Sequence, residues 1–280
     1  MISNYLSMMR CSQWLKNLMI FFPPFLAGNI MFSTILPNGL LTFCAFCMVS
    51  SSGYIFNDLM DRERDIYHPQ KCKRALPSGA VTVRAGAVFA FILLVLGVFL
   101  AGLSSVKIMF FVLLYAVISV MYSLVFKNIP IIDIFSVSAG FLVRLQTGGE
   151  LYNIPISPWL FITVFLLAFF LSTGKRLSEL KSLSKSAKLH RTSLADYPPG
   201  FLSGMLYMSG SAVLATYSIY SIDKSRLIFT VPLCMFGLLR YIFRVSSGIN
   251  GDPTESLLKD WVLFAVSLVW LLMVIWSIYL

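Results

Sequence analysis

The sequence predicts an all-α, polytopic membrane protein, and three observations predict it. Of 280 residues 58% are hydrophobic and 12% charged, with a mean hydropathy of +0.82, too little charge to cover a soluble core. Apolar runs of about 18 to 22 residues, the length that crosses a bilayer as helix, recur from end to end. The formal charge of +10, from 22 Lys and Arg against 12 Asp and Glu, sits in the breaks between those runs rather than in a basic domain. Nucleic acid is thereby excluded as a partner; topology explains the sign.

Reading apolar runs against polar breaks places nine spans near 17–36, 39–57, 84–103, 107–126, 130–149, 156–174, 200–222, 226–244 and 258–280. The first is too long for the apolar stretch of a cleavable signal and leads directly into another span, so it is expected to remain. The longest gaps, 58–83 and 175–199, are too short for a soluble domain. One domain, 1–280, is expected. With an inside N-terminus the cytoplasmic set holds 18 of the 22 basic residues, from Arg10 and Lys16 to Arg244 and Lys259, which supports nine spans with the C-terminus outside.

Five cysteines, Cys11, Cys44, Cys47, Cys72 and Cys234, fall in helices or on the reducing side and imply no disulfide framework. Cys44 and Cys47 form a CxxC inside an apolar run without a second pair or nearby histidine, a pattern that suits packing better than metal binding.

The sharpest chemical signal follows the second span, in Asn57-Asp58-Leu59-Met60-Asp61-Arg62-Glu63-Arg64-Asp65. Asp58, Asp61 and Asp65 stand at i, i+3 and i+7, one face of a helix, with Asn57 a turn before Asp61. Like charges so placed repel unless a cation joins them, and hard oxygens suit Mg²⁺ shared with substrate phosphate. A diphosphate substrate is expected. The bland alternative is a solvated acidic helix end balanced by Arg62, Arg64 and Lys71, but carboxylates at a membrane mouth are costly and generally functional. The basic, turn-rich segment from His68 to Gly79 comes next, and its Lys71 and Arg74 are candidates for the outer phosphate oxygens. Topological charge alone would explain either of them equally well.

These residues resemble the UbiA superfamily of intramembrane prenyltransferases. Asn57, Asp58, Asp61 and Asp65 complete its N-D-x-x-D-x-x-x-D motif, and the following H-P-x-K-x-x-R…P-S-G is similar, with Ala75 in place of the usual proline. The resemblance implies nine helices around a central cavity, open to the cytoplasm and the bilayer, and Mg²⁺ as cofactor held by Asn57, Asp58, Asp61 and Asp65. Within the superfamily the chain looks most like the polyprenyl-phosphate (decaprenyl-phosphate) phosphoribosyltransferase branch. That likeness is carried by Arg10-x-x-Gln13-Trp14-x-Lys16-Asn17, Asp133 to Arg144, Gly174-Lys175-Arg176-x-x-Glu179-Leu180, His190-Arg191 to Tyr197, and Arg240-Tyr241 with Gly251-x-Pro253-x-Glu255.

Prenyl-diphosphate members carry a second Asp-rich motif after the sixth span, where this chain has Lys175, Arg176 and Glu179. One reading is an i,i+4 pair of Lys175 with Glu179 that presents Arg176 to an extra phosphate, such as the one on C5 of phosphoribosyl diphosphate. The later Lys181, Lys185 and Lys188 are expected to be a solvated helix end. Asp133 and Arg144 share a helix face but lie about 16 Å apart along it, so each needs its own partner. Arg144, within a span, faces the interior, to anchor an acidic group or neutralise a buried carboxylate. Tyr122 and Lys127 are candidates for a phosphate from the opposite wall, and Gln13, Lys16 and Arg191 for positioning phosphates. The loop from Gly251 to Glu255 receives no role.

The expected activity is transfer of 5-phosphoribosyl from phosphoribosyl diphosphate to a decaprenyl or undecaprenyl phosphate, for cell-envelope glycan precursors, at the cytoplasmic face of a bacterial inner membrane. Asp58 and Asp61 are the expected catalytic metal ligands. Two alternatives compete: prenyl transfer to an aromatic acceptor, which predicts the second acidic motif, and a lipid-phosphate transporter, which predicts inverted repeats.

Overall fold

The computed structural model describes residues 2–28, 32–67, 71–183, 194, 196–222, 224, 226–249 and 251–280. Among them the regular structure is entirely helical: α1 (Ile2–Met9), α2 (Phe22–Leu26), α3 (Phe32–Met60), α4 (Arg62–Asp65), α5 (Val83–Ser104), α6 (Val106–Leu124), α7 (Ile132–Leu151), α8 (Pro158–Leu183), α9 (Phe201–Ile222), α10 (Val231–Ser246), α11 (Pro253–Lys259) and α12 (Trp261–Tyr279). 3-10 helices cover Cys11–Phe21, Lys71–Lys73, Phe126–Asn128 and Leu227–Thr230. The chain divides into two compact units, Met1–Phe25 with Asn29–Pro155, and Leu26–Gly28 with Ile156–Leu280.

Six described helices are long and apolar enough to cross a membrane: Pro37–Met60, Val83–Ser104, Val106–Leu124, Pro158–Ser182, Leu227–Ser246 and Trp261–Tyr279. Two of the expected spans fall to helices of span length with more polar content. α7 carries Asp133, Arg144 and Glu150, and α9 is rich in Ser, Gly and Tyr. The run expected as a first span over 17–36 is not one helix. It is the tail of the Cys11–Phe21 3-10 helix and then five residues of α2, closed by Gly28 at φ +74. Pro23 and Pro24 lack the amide hydrogens that a continuous helix would need there. α3 starts at Phe32 and continues through Pro37.

In the first unit, α5 packs along α3 by a stripe of small residues. Gly86, Ala90, Gly97 and Ala101 are buried at helical spacing, and a Cβ at Gly97 would stand 2.6 Å from Val49 Cγ2. Helices in lipid gain nothing from expelling water between them, so close backbone approach and polar contacts hold them. Ser52 Oγ accordingly donates to the Ala90 carbonyl at 2.7 Å. Thr82 and Ser105 cap α5 and α6 by accepting from Ala85 and Ile108 amides. A core of Ile20, Ala45, Phe46, Val49, Val112, Tyr115 and Val143 joins α3, α6, α7 and the first 3-10 helix. Outward residues such as Phe91, Phe99, Phe110 and Val117 are exposed and apolar, as a lipid-facing surface requires.

The second unit packs α8 on α9 and α10 on α12. Asp260 caps α12 through the Val262 and Leu263 amides and binds Arg240 and Arg244. Burial alone would raise its carboxyl, but the Leu263 amide and the two guanidinium groups outweigh that and hold it down at about 2. Leu26–Gly28 belongs here because Lys224 Nζ donates to the Leu26 carbonyl and Gly28 rests on Ile278.

Candidate functional site

The acidic end of α3 is assembled within the first unit. The helix stops at Met60, and Asp61 turns with φ −92 and ψ 1 before the single turn of α4. Helical hydrogen bonds still run across this turn, from the Asp61 amide to the Asn57 carbonyl at 2.9 Å and from the Asp65 amide to the Asp61 carbonyl at 2.8 Å, and cations from three other segments close on the three carboxylates. Asp58, 4% exposed, accepts from Arg10 at 2.5 Å and from Arg74 at 2.9 Å. The same Arg74 Nη1 reaches Asp65 Oδ2 at 3.1 Å, and Lys71 stands 3.6 Å from Asp65. Lys127 Nζ donates to Asp61 Oδ1 at 2.7 Å and to Asn57 Oδ1 at 3.3 Å, while Asn57 Nδ2 donates to Asp61 Oδ2 at 3.1 Å. Burial pushes the Asp65 carboxyl above the usual carboxylate range, against the pull of Lys71 and Arg74.

Two strained backbone positions present these cations. Arg10 has φ 50 and ψ 54, joining α1 to the first 3-10 helix, and its guanidinium lies 5.1 Å from the centre of the Tyr54 ring. Ser51 Oγ ties that joint to α3 by donating to the Met9 carbonyl at 2.9 Å. Ile131, a β-branched residue at φ 69, lies in the Pro130–Ile132 turn that starts α7, three residues after the 3-10 turn Phe126–Asn128 that carries Lys127. Such conformations cost energy and persist where surrounding structure holds them, typically at functional sites. Arg10 was not among the site residues expected from sequence. Its signal was the Arg10-x-x-Gln13-Trp14 segment.

Gln13 and Lys16 are half-buried on the first 3-10 helix, and Tyr122 is half-buried on α6. Arg144 lies deep on α7, 3% exposed. Its Nε donates to Asn17 Oδ1 at 2.7 Å, its Nη1 to the Gly140 carbonyl at 2.8 Å, and it stacks 4.3 Å from the Tyr115 ring centre. Asn17 in turn donates toward Cys47 Sγ and Ser50 Oγ. Among its described partners there is no carboxylate, so Arg144 locks the 3-10 helix to α7, where Gly148 lets the Ile20 carbonyl approach within 2.1 Å of where a Cβ would stand.

In the second unit the expected Lys175–Glu179 pair is replaced by a different pairing. Lys175 reaches Asp252 at 2.8 Å, and Arg176, 5% exposed, binds Glu179 at 2.9 Å. The cause is the Gly251–Glu255 loop, which lies on α8. The Gly251 amide donates to Ser178 Oγ at 2.9 Å and Tyr241 OH donates to the Gly251 carbonyl at 2.7 Å. A Cβ on Gly251 would meet the Gly174 carbonyl at 2.7 Å, and one on Gly174 the Tyr241 ring at 2.4 Å. Glycine at both positions brings Asp252 within reach of Lys175. Arg191 lies outside the described residues, as do His68, Pro69 and Gln70.

Among the described residues no three His, Cys, Asp or Glu side chains converge as a ready-made metal site. The donor set nevertheless fits Mg²⁺. The oxygens of Asn57, Asp58, Asp61 and Asp65 are hard, and they stand in pairs around one cationic nitrogen each. Mg²⁺ is usually held by one or two carboxylates plus waters and substrate phosphate.

Comparison with known proteins gives one family and one fold. The model of the UbiA prenyltransferase family matches residues 20–259. The chain is 29% identical to decaprenyl-phosphate phosphoribosyltransferase of Corynebacterium glutamicum, over 97% of this chain and 86% of that one. It is 27% identical to the protein of the same description in Mycolicibacterium smegmatis, over 97% and 91%. In structure it resembles a UbiA homolog from Archaeoglobus fulgidus bound to GPP and Mg²⁺, with TM-score 0.77, 19% identity and 99% of each chain covered.

Proposed function

Because the chain belongs to the UbiA prenyltransferase family, we propose that it is a membrane transferase that moves 5-phosphoribosyl from phosphoribosyl diphosphate to a polyprenyl phosphate and releases diphosphate. The observation that carries this is the acidic end of α3, where Asp58, Asp61 and Asp65 alternate with Arg10, Arg74 and Lys127. Carboxylates alone would suit a metal, and cations alone a phosphate; a diphosphate with its divalent ion needs both. The choice of phosphoribosyl over prenyl donor rests on the relatives similar over 97% of the chain and on Lys175 and Arg176 standing where prenyl-diphosphate members carry a second Asp-rich motif.

The acceptor phosphate is already an anionic nucleophile, so the reaction needs no general base. Asp58 and Asp61, with Asp65 and Asn57, are the residues that would hold Mg²⁺, which supplies charge stabilisation to the departing diphosphate. Arg10, Arg74 and Lys127 donate to phosphate oxygens and fix the leaving group as positive charge develops at C1. Gln13, Lys16 and Tyr122 orient the acceptor phosphate. In-line attack inverts C1. Both substrates' charged groups are taken from the cytoplasmic side of a bacterial inner membrane, with the lipid tail in the bilayer.

The test is incubation of purified protein with radiolabelled phosphoribosyl diphosphate, decaprenyl or undecaprenyl phosphate, and Mg²⁺ or EDTA, followed by organic extraction. Label enters the lipid phase with Mg²⁺ and not with EDTA. Turnover of a prenyl diphosphate with an aromatic acceptor, and no labelled lipid, would instead assign the prenyl transfer activity.

A further inference from the structure

Lys127 differs from the other cations of the acidic end in having nowhere to go. Its side chain is 9% exposed, against 25% for Arg10 and 33% for Arg74, and its backbone is held in the 3-10 turn Phe126–Asn128, ahead of the strained Ile131. It occupies Asp61 Oδ1 and Asn57 Oδ1, and the remaining Asp61 oxygen is taken by Asn57 Nδ2. Every oxygen that Asp61 and Asn57 offer is thus engaged by a protein donor. Arg74 bridges the facing pair, one nitrogen on an oxygen of Asp58 and an oxygen of Asp65. A divalent ion must compete with an ammonium for the same oxygens, and a buried ammonium cannot retreat into water.

We propose that Lys127 is the resident counter-ion of the Asn57–Asp61 pair, a substrate-binding residue that favours the divalent ion arriving with a diphosphate over the ion alone. The inference rests on reading this end as a metal–diphosphate site. A diphosphate brings anionic oxygens onto which Lys127 turns as the metal takes Asp61 and Asn57. Neither ion is then left uncompensated in a buried setting. Free metal finds its ligands occupied; the metal–diphosphate complex finds a donor and acceptor for each of its parts. Arg74, being more exposed, swings from carboxylate to phosphate at lower cost.

The experiment is equilibrium dialysis of the full-length protein in detergent against radioactive Mn²⁺, with and without inorganic diphosphate. Wild type is expected to retain Mn²⁺ about tenfold more tightly with diphosphate than without it, and Lys127→Met to bind Mn²⁺ alone about tenfold more tightly than wild type does. Arg74→Gln, at a more exposed position, shifts binding in the same direction and serves if Lys127→Met does not fold. Equal retention by wild type in both conditions overturns the exchange while leaving the metal–diphosphate reading intact. No retention by any of the three proteins, even with diphosphate, overturns that reading and the inference with it.

Discussion

Asp58→Asn separates chemistry from scaffold at the acidic end of α3. The substitution keeps the shape and removes one charge from a residue 4% exposed that holds two guanidinium groups. Arg74 retains Asp65 at 3.1 Å. Arg10 keeps the Tyr54 face at 5.1 Å, and its left-handed backbone costs about 1–2 kcal/mol that the lost contact helped to offset. Both guanidinium groups are partly exposed, so each broken pair is worth at most about 1 kcal/mol after solvent screening. The expected loss of stability is therefore about 1–2 kcal/mol, a drop of a few degrees in Tm. Loss of a ligand to the diphosphate's metal is expected to lower kcat/KM by at least about a hundredfold. The assay is label transfer to extracted lipid, alongside thermal unfolding in the same detergent. Activity within about threefold of wild type, in a protein with unchanged Tm, would refute the placement of the site.

Other consequences are measurable in the same preparations. Asp260 is held at about 2, so its stabilisation is fully present above the ordinary value of 3.8 and is lost as pH falls from there through about 2. Asp260→Asn should lower Tm at neutral pH, with the difference from wild type closing on acidification across that window. Gly148→Ala places a methyl 2.1 Å from the Ile20 carbonyl oxygen and should cost about 1–3 kcal/mol or more, read as Tm. Lys175→Ala removes a half-exposed ion pair with Asp252 and should change Tm by little. Arg176→Ala, which strips a buried guanidinium from Glu179, should lower Tm by more than Lys175→Ala does.

The sequence was informative where the physics is local or one-dimensional. Span-length apolar runs announce helices without reference to neighbours, and α5, α6, α8 and α12 lie where hydropathy places them. Asp58, Asp61 and Asp65 stand within eight residues of one another, so their grouping could be read directly, and helical hydrogen bonds run across the turn at Asp61. Hydropathy failed at 17–36, because it counts apolar content and is blind to the switch from 3-10 to α geometry at Phe22 and to the left-handed turn at Gly28 that ends α2.

What only the tertiary structure decided is the choice of partner for each charge. Arg10, Arg74 and Lys127 reach the acidic end across 48, 16 and 66 residues of chain. Lys175 finds Asp252 77 residues away rather than Glu179 one turn along. A helix offers every charge a neighbour at i+3 or i+4, worth a few tenths of a kcal/mol. For the buried Asp58 and Asp65 the cost of being left unpaired is several times larger. The long-range pairing therefore wins, and it is set by which turns Gly148, Gly174, Gly251 and the strained Arg10 and Ile131 allow to come close. Sequence determined which elements exist and which charges must be compensated; packing determined by what.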